Sequence, residues 1–273
     1  MSDLTLSATL SNGVKMPYLG FGTFRIPPGD VTKNAVLEAL KVGYRHIDTA
    51  KIYGNEQSVG EAIRESGINR EEIFVTTKVW NTDQGYDSTL RAFDESLSKL
   101  GMDYVDLYLI HWPKDKNIET WKALEKLYKD GRVRAIGVSN FKIHHLEHLL
   151  QHAEIVPMVN QVECHPQFPQ DDVLEYCKAH HIQLEAWGPL MQGQVFNKQV
   201  LIDLANKYNR TVAQIALRWQ LQRGVVVIPK STNPERIREN SQIFDFEISE
   251  EDMKVIATLK GERIGHDPDH ITF

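Results

Sequence analysis

The chain is expected to be an α/β protein forming a (β/α)8 TIM barrel, with an N-terminal β-hairpin and a short C-terminal helix and tail. Three observations predict this. Eight short β-rich runs recur along the 273 residues, amphipathic helical patterns separate them, and polar or titratable residues stand where the runs end. The length suits one barrel, and no composition shift marks a second domain, so residues 1–273 are read as one unit.

Residues 5–10 and 14–16 flank Ser11-Asn12-Gly13, whose Asn-Gly pair favours a tight hairpin turn. The barrel strands are placed at 18–23, 44–48, 73–79, 105–111, 135–139, 158–162, 183–187 and 225–229. Between them, Leu90, Phe93, Leu97 and Leu100 share one face of a helix over 87–100. Trp121, Leu124 and Leu127 mark the next helix, ending at Gly131, which suits a left-handed turn. Ile143, Leu146, Leu149 and Leu150 mark another, then Val173, Leu174 and Cys177. Residues 187–211 form the longest irregular connection, with a helical piece at 200–207. Thr211 and Gln214 have capping-box spacing, and Ser249 with Asp252 gives a weaker version before the last helix. Strict alternation implies a parallel sheet, and eight units favour closure over an open doubly wound sheet.

The net charge of −6 leaves no basic bias towards nucleic acid or anionic membrane. The start, MSDLTLSATL, lacks a basic region followed by an apolar core, and no run approaches the roughly 20 apolar residues of a membrane span. A cytoplasmic monomer acting on a small molecule is expected. Cys164 and Cys177 are too few for a disulfide framework, and a buried reduced thiol suits Cys177.

In a barrel, chemistry gathers at the C-terminal strand ends. Here those ends carry Gly22 and Thr23, Asp48, Lys78, His111, Ser139 and Asn140, Gln161, Trp187, and Lys230 with Ser231. Asp48 and Tyr53 lie in GYRHIDTAKIYGNE (43–56), and with Lys78 and His111 they make a set able to donate a proton.

The segments GYRHIDTAKIYGNE, the Lys78 strand, LIHWP, GVSNF, NQVECHP and IPKST are spread over nearly all the barrel. Through them the chain resembles the aldo-keto reductases from end to end, with its long substrate loops trimmed. Within that family it looks most like bacterial glyoxal, methylglyoxal and diketogluconate reductases. The resemblance implies NADPH-dependent reduction of small aldehydes, ketones, α-dicarbonyls or keto-sugars, with Tyr53 as proton donor. A free phenol, pKa about 10, is a poor acid near neutrality. Lys78 is expected to lower that value, Asp48 to hold Lys78, and His111 to hydrogen-bond the carbonyl oxygen.

Hydride requires a cofactor, NADPH/NADP+. The Rossmann fingerprint is absent, since Arg25 stands where the third glycine after Gly20 and Gly22 belongs. By resemblance, Ser139, Asn140 and Gln161 hold the nicotinamide carboxamide and Trp187 stacks on its ring, while Asp48, Gly22 and Thr23 approach ribose and phosphate. Lys230, Ser231, Thr232 and Asn233, with Arg236, Glu239 and Asn240, look like a clamp for the 2′-phosphate and adenine; two cations at a helix start favour NADPH over NADH. Phe24, Trp80, Trp112, His111 and residues after Trp187 are expected to line an open substrate pocket. His270, Ile271 and Phe273 either touch its mouth or form a disordered tail.

No metal site is expected. His144, His148 and His152 share one helical face and Cys177, His180 and His181 another, but neither cluster lies at the active rim. Glu163, Cys164 and His165 either meet substrate or finish a turn. Two other functions compete: a Schiff-base aldolase using Lys78, and a non-catalytic nucleotide-binding barrel. A polyol dehydrogenase running the same chemistry backwards is the closest enzymatic alternative.

Overall fold

The computed structural model describes residues 4–273. The chain opens with an antiparallel hairpin of β1 (Ser7–Thr9) and β2 (Lys15–Pro17). Asn12 fixes its turn: the side-chain oxygen accepts from the Val14 amide at 3.2 Å, and Nδ2 donates to the Arg134 carbonyl at 2.9 Å. Ala8, Leu10 and Met16 are buried, so the hairpin adds to the barrel core.

Eight parallel strands follow in sequential order among the described residues: β3 (Phe21–Gly22), β4 (His46–Asp48), β5 (Phe74–Val79), β6 (Val105–Ile110), β7 (Val133–Ser139), β8 (Val159–Glu163), β9 (Gln183–Trp187) and β10 (Val226–Val227). The first and last expected strands are cut to two residues each. Their ends still meet: the Gly20 amide donates to the Val227 carbonyl at 2.8 Å and the Val227 amide to the Tyr18 carbonyl at 2.9 Å, closing the barrel. Gly22 is required there, because a Cβ would stand 2.8 Å from the Ile228 carbonyl oxygen. Every residue of β5 and β6 is buried, the expected state of strands covered on both faces.

The surrounding helices are α1 (Asp30–Val42), α2 (Glu56–Glu65), α3 (Tyr86–Leu100), α4 (Asn117–Lys129), α5 (Ile143–Leu150), α6 (Asp171–Ala179), α7 (Gln199–Tyr208), α8 (Val212–Gln222), α9 (Pro234–Ser241) and α10 (Glu250–Ile256). The Thr211–Gln214 capping box forms, Ser249 accepts from the Asp252 amide, and Gly131 takes φ 72° after α4. No helix among the described residues is long and apolar enough to cross a membrane.

The C-terminal segment is strapped across the barrel. The Glu163 carboxylate accepts the Ile264 and Gly265 amides, Lys142 pairs with Asp267 and Asp269, and Phe273 stacks on Trp80 at 5.7 Å. The two expectations for this segment therefore separate in favour of contact with the mouth.

Helix α2 lies against the end of α3 through Gly60, where a Cβ would fall 2.0 Å from the Leu100 carbonyl oxygen. Helix propensity alone favours alanine over glycine by about 1 kcal/mol. We predict that Gly60→Ala instead destabilises the protein by about 1–3 kcal/mol in urea unfolding, as overpacking does; a stabilised variant would contradict this close approach.

Candidate active site

The site is built around a buried ion pair at adjacent strand ends. Lys78 on β5 is fully buried, and its ammonium lies 2.7 and 2.9 Å from the two Asp48 carboxylate oxygens and 2.8 Å from the Thr49 carbonyl. It also donates to the Tyr53 hydroxyl oxygen at 3.3 Å. Parallel register brings Asp48 opposite Thr76, two residues before Lys78. Tyr53 follows β4 on a 3-10 turn, Lys51–Tyr53, that ends at Gly54 with φ 70°. Buried Asn55 stitches this loop in place, donating to the Thr23 and Ile26 carbonyls and accepting from Thr49.

Burial, the largest single effect, would lower the Lys78 ammonium, but the charge and hydrogen bonds of Asp48 together with Tyr53 and Glu185 outweigh it and the group stays raised above its ordinary value. A Schiff-base nucleophile needs a neutral amine, so the geometry speaks against the aldolase alternative. Lys78 lowers the Tyr53 phenol as expected, but burial acts more strongly in the other direction. Burial raises the phenol to about 12; Lys78 pulls it down and Asp48 pushes it up, so the net shift is upward.

His111 follows β6 and is held well below the usual imidazole range by burial and then by the Lys78 charge, so its ring is neutral. Its Nδ1 is buried with no hydrogen-bond partner among the described residues. The ring packs edge-on to Tyr53 at 5.7 Å and to Trp80 at 5.2 Å, and lies nearly parallel to Trp112 at 6.4 Å. Phe24 touches Tyr53 at 5.0 Å but is 53% exposed, placing it at the rim. Phe273 completes the aromatic wall against Trp80 and Trp112, a contact the sequence had left open.

The expected amide and indole groups also converge. Ser139 donates to the Gln161 carbonyl at 2.8 Å, Asn140 Nδ2 to the His111 carbonyl at 3.0 Å, and Trp187 Nε1 to Asn140 Oδ1 at 2.8 Å. Asn140 takes a left-handed φ of 65°, a cost found mostly where a side chain must be aimed. Gln161 Nε2 donates at 2.8 Å to both Asp48 and Glu185. Thr23 is buried and donates to the Asp48 carbonyl.

Farther along the rim, Asn233 caps α9 by accepting from the Glu235 and Arg236 amides. Lys230, Thr232 and Arg236 are exposed, Ser231 and Glu239 half-buried and Asn240 buried. The side chains of Lys230 and Arg236 have no hydrogen bond or ion pair among the described residues, so two unpaired cations flank a helix start.

The histidine stripe does not converge as spaced: His144 meets its neighbour His145 and Asp269, while His148 and His152 pair separately. Lys142 already lies 2.6 Å from Asp269, and His145 Nδ1 accepts from the Lys142 amide, so this group acts as a charged latch for the tail. Glu163, Cys164 and His165 finish the turn: His165 bonds Glu163 at 2.9 Å, and Cys164 is buried against Pro169. Asn55, His46 and Glu185 were missed, because their roles depend on which barrel neighbours they face.

A model of the Aldo/keto reductase family matches residues 18–260. The chain is 59% identical over its full length to glyoxal reductase of Bacillus subtilis (strain 168), covering 99% of that protein. An aldo-keto reductase, MGS-M4, from a Medee basin deep-sea metagenome library superposes with a TM-score of 0.96 at 51% identity, over 98% of this chain and all of that one. A mutant of Gox0644 in complex with NADPH superposes at 0.93 and 44% identity, over 98% and 99% of the two chains. With a family model over most of its length and a relative 59% identical from end to end, the chain belongs to the aldo/keto reductase family.

Proposed function

We propose that residues 1–273 act as one catalytic unit that reduces small aldehydes, ketones and α-dicarbonyls such as glyoxal and methylglyoxal to alcohols, with NADPH as reductant. The observation that carries this reading is the direction of one hydrogen bond. Lys78 donates to the Tyr53 oxygen, so the phenolic hydrogen is left free to be given to a substrate oxygen.

The residues present suit the cofactor. Two unpaired cations, Lys230 and Arg236, with the Ser231 and Thr232 hydroxyls, offer donors for a 2′-phosphate, and Glu239 and Asn240 stand on the same short helix for the adenine. Ser139, Asn140 and Gln161 suit a carboxamide, half-buried Trp187 offers a ring face, and Gly22 and Thr23 stand at the strand end next to Asp48. NADPH bound there would supply the hydride.

The chain's own groups do the rest. Neutral His111 donates one N–H to the carbonyl oxygen and orients it, as Trp80, Trp112 and Phe24 exclude water from one side. Tyr53 gives its proton as negative charge develops, and Lys78 stabilises the phenolate left behind. Because burial raises Tyr53 to about 12, the phenol remains protonated at every physiological pH, and the proton is always available.

Following NADPH absorbance with methylglyoxal, Tyr53→Phe should lower kcat by about 10²–10⁴-fold while NADPH still binds. A variant as active as the wild type would end the proton-donor assignment. Arg236→Ala should raise KM for NADPH by about tenfold and move KM for NADH far less, as expected for loss of a charge-assisted phosphate contact. Equal changes for both cofactors would contradict the clamp.

A further inference from the structure

Below the Asp48–Lys78 pair the barrel interior holds a second carboxyl that the reaction above does not use. Glu185 on β9 is fully buried. Its Oε2 accepts one hydrogen of the Gln161 amide at 2.8 Å, while the other hydrogen goes to Asp48 at 2.8 Å. One amide group therefore spans two carboxyls.

The other oxygen, Oε1, has no hydrogen-bond partner among the described residues. It lies 3.5 Å from His46 Nε2. His46 Nδ1 sits 3.3 Å from the Pro17 carbonyl, which can only accept, so Nδ1 carries the ring hydrogen. Burial holds this imidazole down at about 4, leaving it neutral with a lone pair on Nε2. The Thr76 hydroxyl also reaches Nε2, at 3.4 Å, so a carboxylic acid O–H on the unpartnered Oε1 would share this lone pair with it.

Charge counting leads to the same result. The groups facing Glu185 are His46 and Asp48 from β4, Lys78 from β5 and uncharged Gln161 from β8, with Tyr53 beyond; β10 presents only valines. Lys78 is the one cation among them, and Asp48 already holds it through both carboxylate oxygens. A second carboxylate in this dry interior would be an unpaired charge. Burial, and then the Asp48 charge, push Glu185 up to about 8.

Resting on the reductase reading, we infer that Glu185 is a positioning residue working as an uncharged acid. It holds the Gln161 amide against Asp48 without adding negative charge, and its ionisation weakens Tyr53 as a proton donor and limits turnover on the alkaline side. A negative Glu185 disfavours the Tyr53 phenolate, so the phenol gives up its proton more slowly. Tyr53 itself, at about 12, titrates far above this range and cannot be the source of that limit.

The test compares kcat for methylglyoxal, at saturating NADPH, across pH in the wild type and Glu185→Gln. The amide keeps an acceptor for Gln161 and turns its NH2 towards His46, but cannot ionise. The wild type should lose about threefold in kcat through a step near pH 8, as a phenol about one unit less acidic would. The variant should lack the step, so its alkaline-to-neutral kcat ratio exceeds the wild-type ratio by about threefold. Parallel profiles, or a uniform loss at all pH values, would overturn the inference.

Infrared spectroscopy of the wild type reads the proton without turnover or a variant. The carbonyl stretch of a protonated carboxylic acid should disappear with a midpoint near pH 8, and no such band would refute the uncharged state. If no carbonyl is reduced at any pH, the reductase reading fails while the infrared result still decides the state of Glu185.

Discussion

One buried ion pair sets the positions of the other groups at the barrel mouth. Lys78 has no contact with water and would be costly as a lone cation, so its ammonium must be met by acceptors on every side. Its three hydrogens are shared among four oxygens: two of Asp48, the Thr49 carbonyl and, at the longest distance of 3.3 Å, the Tyr53 hydroxyl. Because the last acceptor is the proposed proton donor, the demand that keeps Lys78 satisfied also aims Tyr53. Folding and chemistry thus draw on the same contacts.

The electrostatics are those of a site kept dry and close to neutral. The same lysine that supports Tyr53 helps hold His111 uncharged, after burial has done most of that work. A neutral imidazole beside an ammonium can still donate a hydrogen bond, whereas an imidazolium there would add a second positive charge. Below, neutral His46 and Glu185 share the interior without altering the charge balance. The strap from Glu163 through Lys142 to Phe273 covers one side of the mouth without lengthening the barrel loops.

Much of this was legible in the sequence because strand ends are legible. Asp48, Lys78, His111, Gln161 and Trp187 each close an apolar run, and a barrel sends such residues to one rim. Tyr53 was read as the phenol on the loop after Asp48 and Asn140 as part of a strand end, but the left-handed turn at Asn140 could not have been read from composition. Strand lengths at the seam were overcalled, since residues 18–23 and 225–229 look β-rich but pair only briefly. Lys78 lowers the Tyr53 phenol as read, but the larger rise from burial was not legible, because a sequence names the cation beside a phenol but not the water it loses. Glu185 was invisible for a related reason: in QLEAW an acid between apolar neighbours looks like an ordinary solvent-facing residue, and only closure turns it inward.

The central claim is that the Lys78 ammonium acts directly on the Tyr53 hydroxyl. It is tested most directly by carbon-13 NMR titration of the Tyr53 Cζ resonance, in the wild type and in Lys78→Met. The account predicts that the wild-type resonance begins to shift as pH approaches about 12, and that the variant shows no titration over the same range. An unchanged or lower midpoint in the variant would show that the lysine does not support the phenolate, and the proposed proton transfer would lose its basis.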